Sequence, residues 1–254
     1  MIGTEYYLTF LLVLVRIASY LFTIPVLSMR QISSVVKLAI VLVMAVVTTS
    51  SLSAQQIIVN SVIELGFLVL QEALLGFILG HVSTIIFLGV QSAGDLIDFA
   101  AGLKMSASYD PITGVSSSLY SSVYNWIAVI LFFNMNGHHY LVKGIMNSFY
   151  FLELGQEYLH LLKVESFIYL ISRFFLISIQ LALPVGIVLY LVDIILGMIS
   201  KVIPQINVFL LGMPAKIGIS FIVHLFLIVG VVQSISWALD SVMSSLDYFV
   251  KTLV

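Results

Sequence analysis

The chain has 254 residues, of which 61% are hydrophobic and 9% charged, and its mean hydropathy is +1.18. Soluble domains carry about a quarter charged residues, so this composition argues against a water-soluble protein and predicts that apolar faces meet lipid or other subunits. The net charge of -2 comes from 10 basic and 12 acidic residues without a run of either sign, which excludes the basic surface that a nucleic-acid partner needs.

Six apolar segments follow one another along the chain. A helix that crosses the bilayer takes about 20 apolar residues, and the third, fifth and sixth segments exceed that length. Each of these three must therefore tilt, bend, extend beyond the bilayer or fold back on itself. The segments cover about residues 7–27, 35–52, 57–99, 118–133, 167–200 and 208–246.

Proline and glycine mark the expected breaks between the helices. Residues 102–114 form the longest loop, and NMNGHHY at 134–140 predicts a tight turn in which Gly137 supplies the permissive backbone. Residues 203–214 predict a further break with a proline at each end, while Pro184 is expected to kink the fifth segment. Since no fixed-period repeat occurs, the sequence predicts an all-α, polytopic membrane-type protein with a single domain over 1–254.

Eight charged residues lie inside apolar segments, where each costs about 2.5 to 3.5 kcal/mol on insertion scales. They need a charged partner or a wet cavity, and the simplest interpretation is a buried pair that holds helices in register. Glu64 and Glu72 lie eight residues apart and share a helix face with Gly76 and Gly80, whose GFILG spacing admits another helix closely. We therefore interpret this face as an assembly seam. The eight residues are Arg16, Glu64, Glu72, Asp95, Asp98, Arg173, Asp193 and Asp240.

Enzyme chemistry finds little support in the sequence. The chain has no cysteine, and neither an HExxH nor a GxSxG motif occurs. The neighbouring His138 and His139 are expected to point in different directions, as adjacent residues do on regular secondary structure. We expect no catalytic residue, no metal and no cofactor. Asp95 and Asp110 faintly resemble the pair of an aspartyl intramembrane protease, although Asp110 precedes Pro111 in a turn context. A small-solute secondary transporter, with the charges along a substrate path, is the other alternative.

Four ordered stretches of the chain look like one known family. They are distributed over residues 71–217, and their order and spacing are far more specific than any one of them. They are QEALLGFILG at 71–80, QSAGDLIDFAAGLKMSASYDPITG at 91–114, NGHHYLVKGIMNSF at 136–149, and LALPVGIVLYLVDIILGMISKVIPQINVFLLGMPAKI at 181–217. This series resembles FliR, the flagellar type III export-gate family, which is related to the SctT family of injectisomes.

The resemblance implies a subunit of long, bent helical hairpins in a heteromeric gate, without catalysis. Its partners would be FliP-like and FliQ-like subunits and a FlhB-like subunit, and its cargo unfolded exported proteins. The assembly would lie in the bacterial inner membrane, at the flagellar basal body. The segment 193–214 is the most distinctive, and its Pro204, Gln205 and Asn207 are expected in helix packing, together with the Glu64 to Gly80 face.

The resemblance also implies that the loop at about 102–118 projects into the pore and helps to plug it when closed. The loop is rich in small residues, carries a flexible methionine and turns at an Asp-Pro pair. The predicted plug residues are Gly102, Leu103, Lys104, Met105, Ser106, Asp110, Pro111 and Gly114.

Overall fold

A computed structural model describes residues 2–24, 32–52, 59, 61–105, 118–156, 164–203 and 208–252. This part of the chain contains seven α-helices, one short 3-10 helix and no β-strand. The predicted all-α class is therefore confirmed. The helices are α1 Ile2–Thr23, α2 Ser34–Ser51, α3 Val62–Ala100, α4 Leu119–Asn134, α5 Gly137–Phe151, α6 Val164–Val202 and α7 Val208–Thr252, and the 3-10 helix is Leu103–Met105.

Three of the helices are much longer than one bilayer crossing. Helices α3 and α6 have 39 residues each and α7 has 45, which at 1.5 Å per residue gives roughly 58 and 68 Å against about 30 Å of hydrocarbon. Each is one continuous helix, so in the part of the chain that the structure describes none of the three long segments folds back on itself. Five helices, α1, α2, α3, α6 and α7, are long and apolar enough to cross a membrane.

The turn between α4 and α5 differs from the sequence expectation. Helix α4 ends at Asn134 and α5 already begins at Gly137, so that two residues make the turn. The left-handed position belongs to Asn136, with φ of 56°, and not to Gly137. Asparagine tolerates this conformation better than other side chains that carry a Cβ. The expectation that Gly137 supplies the permissive backbone is therefore wrong.

Helix α5 was not among the six apolar segments of the sequence. Its first turns carry His138, His139 and Lys143, which interrupt any long apolar run. The helix is nevertheless amphipathic, and Leu141, Ile145 and Phe149 are buried at a spacing of four residues. Hydropathy alone misses a helix of this kind because only one of its faces is apolar.

The break before α7 is shorter than predicted. Helix α7 begins at Val208, so Pro214 lies within its second turn and not at the end of a break. A proline there removes one backbone hydrogen bond, which a helix of 45 residues accommodates. Similarly, α6 continues through Pro184.

Contacts divide the chain into two compact units, to both of which α3, α6 and α7 contribute residues. Unit 1 consists of Met1–Ile85, Asn136–Ile171 and Asp240–Val254, and unit 2 of Ile86–Met135 and Ser172–Leu239. The prediction of a single domain over 1–254 stays a prediction. In unit 1, α1 packs against α2.

Each unit has its own buried apolar core. The core of unit 1 includes Leu12, Val13, Ile17, Leu79, Val82, Ile145 and Phe149. The core of unit 2 includes Ile86, Phe87, Val90, Ile97, Phe132, Ile177, Val185, Leu189 and Ile235.

Candidate functional site

The stem of the 102–118 loop begins where α3 ends. Gly102 has φ of +82° and its amide donates to Phe99 O over 3.0 Å, so it stops the helix in the left-handed conformation that glycine adopts without strain. The 3-10 helix Leu103–Met105 follows at once. Of the predicted plug residues, Gly102, Leu103 and Lys104 lie in this stem, together with the backbone of Met105. Ser106, Asp110, Pro111 and Gly114 lie outside the described residues.

Lys104 folds back onto α3. Its Nζ donates to Asp95 Oδ1 over 2.7 Å, and both side chains are a little more than one third exposed. A partly exposed pair of this kind contributes little to stability, about 0 to 1 kcal/mol. Asp95 therefore has a basic partner on the loop stem. Asp110, its supposed companion in a protease, lies outside the described residues.

Asp98 is a buried carboxylate that caps a neighbouring helix. Its Oδ1 accepts from the amide of Tyr120 over 3.0 Å, and its Oδ2 accepts from the amide of Ser121 over 3.1 Å. These are the second and third residues of α4, whose amides lack partners within the helix. Ser118 occupies the N-cap position but makes no side-chain capping bond. Asp98 supplies from α3 both the missing acceptors and the negative charge that a helix N-terminus favours.

Gly94 permits this contact one helical turn earlier on α3. A Cβ at Gly94 would overlap with the backbone N and Cα of Ser121 and would lie 2.6 Å from Tyr120 C. The backbone of α4 therefore rests directly on Gly94 while its free amides reach Asp98. The sequence indicated that Asp98 needs a partner, but only the fold identifies that partner as backbone.

Helices α4 and α7 are joined by two tyrosines that face a serine and a histidine. Tyr120 OH lies 2.9 Å from Ser220 Oγ, and Tyr124 OH lies 3.0 Å from Nε2 of His224. His224 Nδ1 lies 3.0 Å from Ser220 O, and the Tyr120 ring stacks on the imidazole at 4.0 Å. Tyr120 and Tyr124 lie four residues apart on α4, and Ser220 and His224 lie four residues apart on α7. This spacing places each pair on one face of its helix, a signal that the sequence predictions did not use.

Glu72, one of the predicted assembly residues, pairs with Arg16 inside unit 1. Arg16 Nε donates to Glu72 Oε2 over 2.5 Å, and Glu72 Oε1 accepts from the amide of Gly155 over 3.4 Å. Exposure of the two side chains is 0% for Arg16 and 2% for Glu72. The pair joins α1, α3 and the segment after α5.

The same arginine also caps the C-terminus of α5. Its Nη1 donates to Ser148 O over 3.2 Å and to Leu152 O over 3.0 Å. The guanidinium carbon lies 4.5 Å from the centre of the Phe149 ring. Free carbonyls at a helix end carry partial negative charge, so a cation there is favoured. These hydrogen bonds offset part of the free-energy cost of desolvating a buried ion pair.

Gly76 and Gly80 lie against α1 of the same chain. A Cβ at Gly76 would overlap with Arg16 O and Ser19 Oγ, and one at Gly80 would lie 2.7 Å from Thr23 Cβ. The GFILG pattern thus admits a helix closely, as helices with small residues do. Glu64 lies two turns before Glu72, half-buried near the start of α3.

The distinctive segment 193–214 is described in part. Pro204, Gln205 and Asn207 lie outside the described residues. Lys216 on α7 pairs with Asp193 on α6: its Nζ lies 2.7 Å from Oδ1 and 2.9 Å from Oδ2 of the carboxylate.

Within the described ranges, no three histidine or acidic side chains lie close enough to hold a metal ion.

Comparison with known proteins connects this arrangement to export. The family described as "Bacterial export proteins, family 1" matches residues 7–242. The "Flagellar biosynthetic protein FliR" of Bacillus subtilis (strain 168) is 33% identical over 219 residues, which cover 84% of this chain and 83% of the relative. The protein of the same name from Escherichia coli (strain K12) is 30% identical over 220 residues, 84% of this chain and 82% of the relative.

A third relative bears a different name. The "Yop proteins translocation protein T" of Yersinia pestis is 27% identical over 248 residues, 94% of this chain and 92% of the relative. Proteins of this family act in export and are not enzymes. The resemblance seen in the ordered sequence stretches is confirmed by the family match over residues 7–242. The chain belongs to the FliR family of flagellar biosynthetic proteins, within the bacterial export proteins of family 1.

Proposed function

We propose that this membrane protein is a structural and gating subunit of the bacterial flagellar type III export gate. With FliP-like and FliQ-like subunits it forms a pore for unfolded exported proteins, and a FlhB-like subunit adjoins the assembly. The assembly lies in the inner membrane, at the flagellar basal body. The observation that carries the proposal is the family match over residues 7–242.

The distribution of buried surface supports a role in a larger assembly. In the apolar stretch of α3 that could cross a membrane, 56% of the residues are buried within the chain, against 17% in α6 and 17% in α7. On α7, Leu225 is 76% exposed and Phe226 is 84% exposed. Such faces need lipid or partner helices, because water does not solvate them.

The use of the charged residues also favours a structural role. Glu72, Asp95 and Asp193 pair with basic side chains of the same chain, and Asp98 binds the backbone of α4. Acids that are paired within the protein hold helices together, whereas a solute path needs polar groups that are free to bind substrate. These four acids therefore favour the export-gate function over the small-solute transporter.

The first test is the composition of the native complex. We expect the chain, purified in mild detergent from its own host, to leave the membrane with FliP-like and FliQ-like chains in fixed ratio. Native mass spectrometry, with identification of each subunit by its peptides, measures this. A monodisperse monomer that still supports flagellar assembly would contradict the proposal.

The second test concerns the loop at 102–118, which we propose restricts the pore in its closed state. Removal of residues 108–113 should leave assembly unchanged and increase the leak of small ions across the membrane. Potassium efflux, normalised to the amount of assembled complex, measures the leak. The control is a chain that lacks six residues of another connection, 157–162, which should not leak. Unchanged closed-state conductance in the loop-shortened chain would overturn the plug assignment.

A further inference from the structure

A groove lies between α3 and α6 in unit 2. Two cavities of about 530 Å³ and about 230 Å³ form it, and they share Leu96 and Phe99 of α3 and Ile179 of α6. All residues that line the two cavities belong to unit 2. The three shared side chains are about half exposed or more, so the groove is open at the surface of the chain.

The two ends of the groove differ in polarity. The larger cavity reaches Asp95 and Lys104, whose side chains are 37% and 35% exposed. The smaller cavity extends along α6 past the apolar side chains of Leu183 and Ile187, and past Gly186. A molecule that fills the groove therefore needs a charged end and an apolar end.

The charged end has hydrogen-bonding capacity to spare. The ammonium of Lys104 has three N–H donors, and in the part of the chain that the structure describes its only hydrogen bond goes to Asp95 Oδ1, over 2.7 Å. Within the same residues, Oδ2 of Asp95 accepts no hydrogen bond. A phosphate can accept from Lys104, and a primary ammonium group can donate to Oδ2 of Asp95. The two side chains are thus complementary to a group that carries both charges.

Among phospholipids, phosphatidylethanolamine carries this pair of groups. Phosphatidylglycerol has the phosphate but no cation for Asp95, and the quaternary ammonium of phosphatidylcholine has no N–H to donate. Basic sites between membrane helices are known places for lipid headgroups. In addition, α6 is long and apolar enough to cross a membrane, and 17% of that stretch is buried within the chain. Lipid is therefore an expected neighbour of this helix.

The size of the groove suits one hydrocarbon chain better than a helix. From Phe175 to Tyr190 it follows α6 for about 22 Å at 1.5 Å per residue, whereas the hydrocarbon of one leaflet is about 15 Å thick. A helix with its side chains is about 10 Å across, so the larger cavity, of about 530 Å³, would hold roughly 7 Å of helix, little more than one turn.

We propose that this groove is a binding site for one molecule of phosphatidylethanolamine, with an acyl chain between α3 and α6 and the headgroup at Asp95 and Lys104. The bound headgroup supplies polar partners to an ion pair next to an apolar span, where exposed charge is costly. The site goes beyond the function proposed above and does not depend on which subunits form the export gate.

The first experiment locates the lipid directly. The full-length chain, expressed with its partner subunits, is placed in nanodiscs of phosphatidylethanolamine and phosphatidylglycerol. A small fraction of the phosphatidylethanolamine carries a diazirine near the end of one acyl chain. After illumination, peptide mass spectrometry should find the adducts concentrated at residues 96–100 and 179–190. Adducts spread evenly over the exposed faces of α6 would overturn the proposal.

Two glycines of α6 provide a matched pair of variants. Gly186 lines the smaller cavity and Gly197 lines neither, while a Cβ added at either position would meet no atom within 4 Å. Gly186→Leu should fill the groove without a clash and lower the yield of groove adducts several-fold. Gly197→Leu should leave the yield unchanged, and thermal unfolding verifies that both variants fold. Equal adduct yields from the two variants would contradict the proposed site.

A change of headgroup preference tests the charged end. Native mass spectrometry identifies the lipids that stay bound after washing with mild detergent, and phosphatidylethanolamine should exceed phosphatidylglycerol. Asp95→Asn should lower this ratio several-fold, because it removes the negative charge that holds the ammonium group. Asp193→Asn changes another paired aspartate of unit 2, outside the groove, and should not alter the ratio. The same ratio in both variants would show that Asp95 does not bind the headgroup.

A side chain of a partner subunit is the alternative occupant of the groove. In that case the chain without its partners would give groove adducts, and the assembled complex would give none. This result would overturn the proposal, whereas groove adducts in both preparations would support it. If the chain forms no complex at all, the export-gate function fails and the adducts of the chain alone still decide the lipid site.

Discussion

Arg16 and Glu72, which lie 56 residues apart in sequence, form a buried ion pair with 2.5 Å between Nε and Oε2. The guanidinium also holds the C-terminal carbonyls of α5. One side chain of α1 thus satisfies a carboxylate on α3 and the end of a third helix. Because both side chains are buried, these contacts take the place of the hydration that the two charges would have in water.

Removal of either partner should destabilise the protein. Glu72→Ala leaves a buried guanidinium without its counter-charge, and the expected loss is about 3 to 5 kcal/mol of unfolding free energy. Arg16→Met should cost at least as much, because it also frees the carbonyls at the end of α5. The measurement is unfolding of the purified chain in detergent. The double variant Arg16→Met with Glu72→Met should be more stable than the sum of the two single losses implies, and strict additivity would contradict the pairing.

Two glycines of α3 should respond to alanine in the opposite way from a third on the same helix. Gly76→Ala or Gly80→Ala places a methyl group against the backbone of α1, which should cost about 1 to 3 kcal/mol. At Gly66 no atom lies within 4 Å of the added Cβ. There Gly66→Ala should stabilise the helix by about 0.5 to 1 kcal/mol. Melting temperatures in one detergent compare the three variants, and a loss at Gly66 equal to that at Gly76 would contradict the packing.

The tyrosines of α4 should differ in their contributions. Tyr124→Phe leaves the Nε2 of buried His224 without its hydroxyl partner, which should cost about 1 to 3 kcal/mol. Tyr120→Phe should cost less, because Ser220 Oγ still donates to Ile217 O over 2.7 Å. Thermal unfolding of the two variants measures the difference. A larger loss for Tyr120→Phe would show that the two hydrogen bonds are ranked wrongly.

The turn between α4 and α5 gives a backbone test. Asn136 has φ of 56°, so Asn136→Ala should destabilise the turn by about 1 kcal/mol. Asn136→Gly should be neutral or slightly stabilising, because glycine adopts this conformation without a steric cost. Chemical unfolding of both variants supplies the comparison. Equal effects of alanine and glycine would argue against the left-handed assignment.

Sequence patterns were sufficient for the class of protein and for its family. A charged fraction of 9% and long apolar segments predict membrane helices, since neither hydropathy nor helix length depends on distant contacts. The four ordered stretches identified the family, which the match over 7–242 confirms. Local turn chemistry was less reliable, as Asn136 and Pro214 illustrate. Helix α5 was missed because a one-sided apolar face does not raise the mean hydropathy.

The apolar segments around Arg16, Glu72 and Asp98 already indicate that these charges must be satisfied, because an apolar surrounding makes an unpaired charge costly. Which groups satisfy them follows from the packing of the helices. Arg16 meets Glu72 and the end of α5, whereas Asp98 accepts hydrogen bonds from the free amides of α4. The pairing depends on which helices pack together over separations of 22 to 136 residues. Local composition carries no information about such distances, so the fold alone could supply the partners.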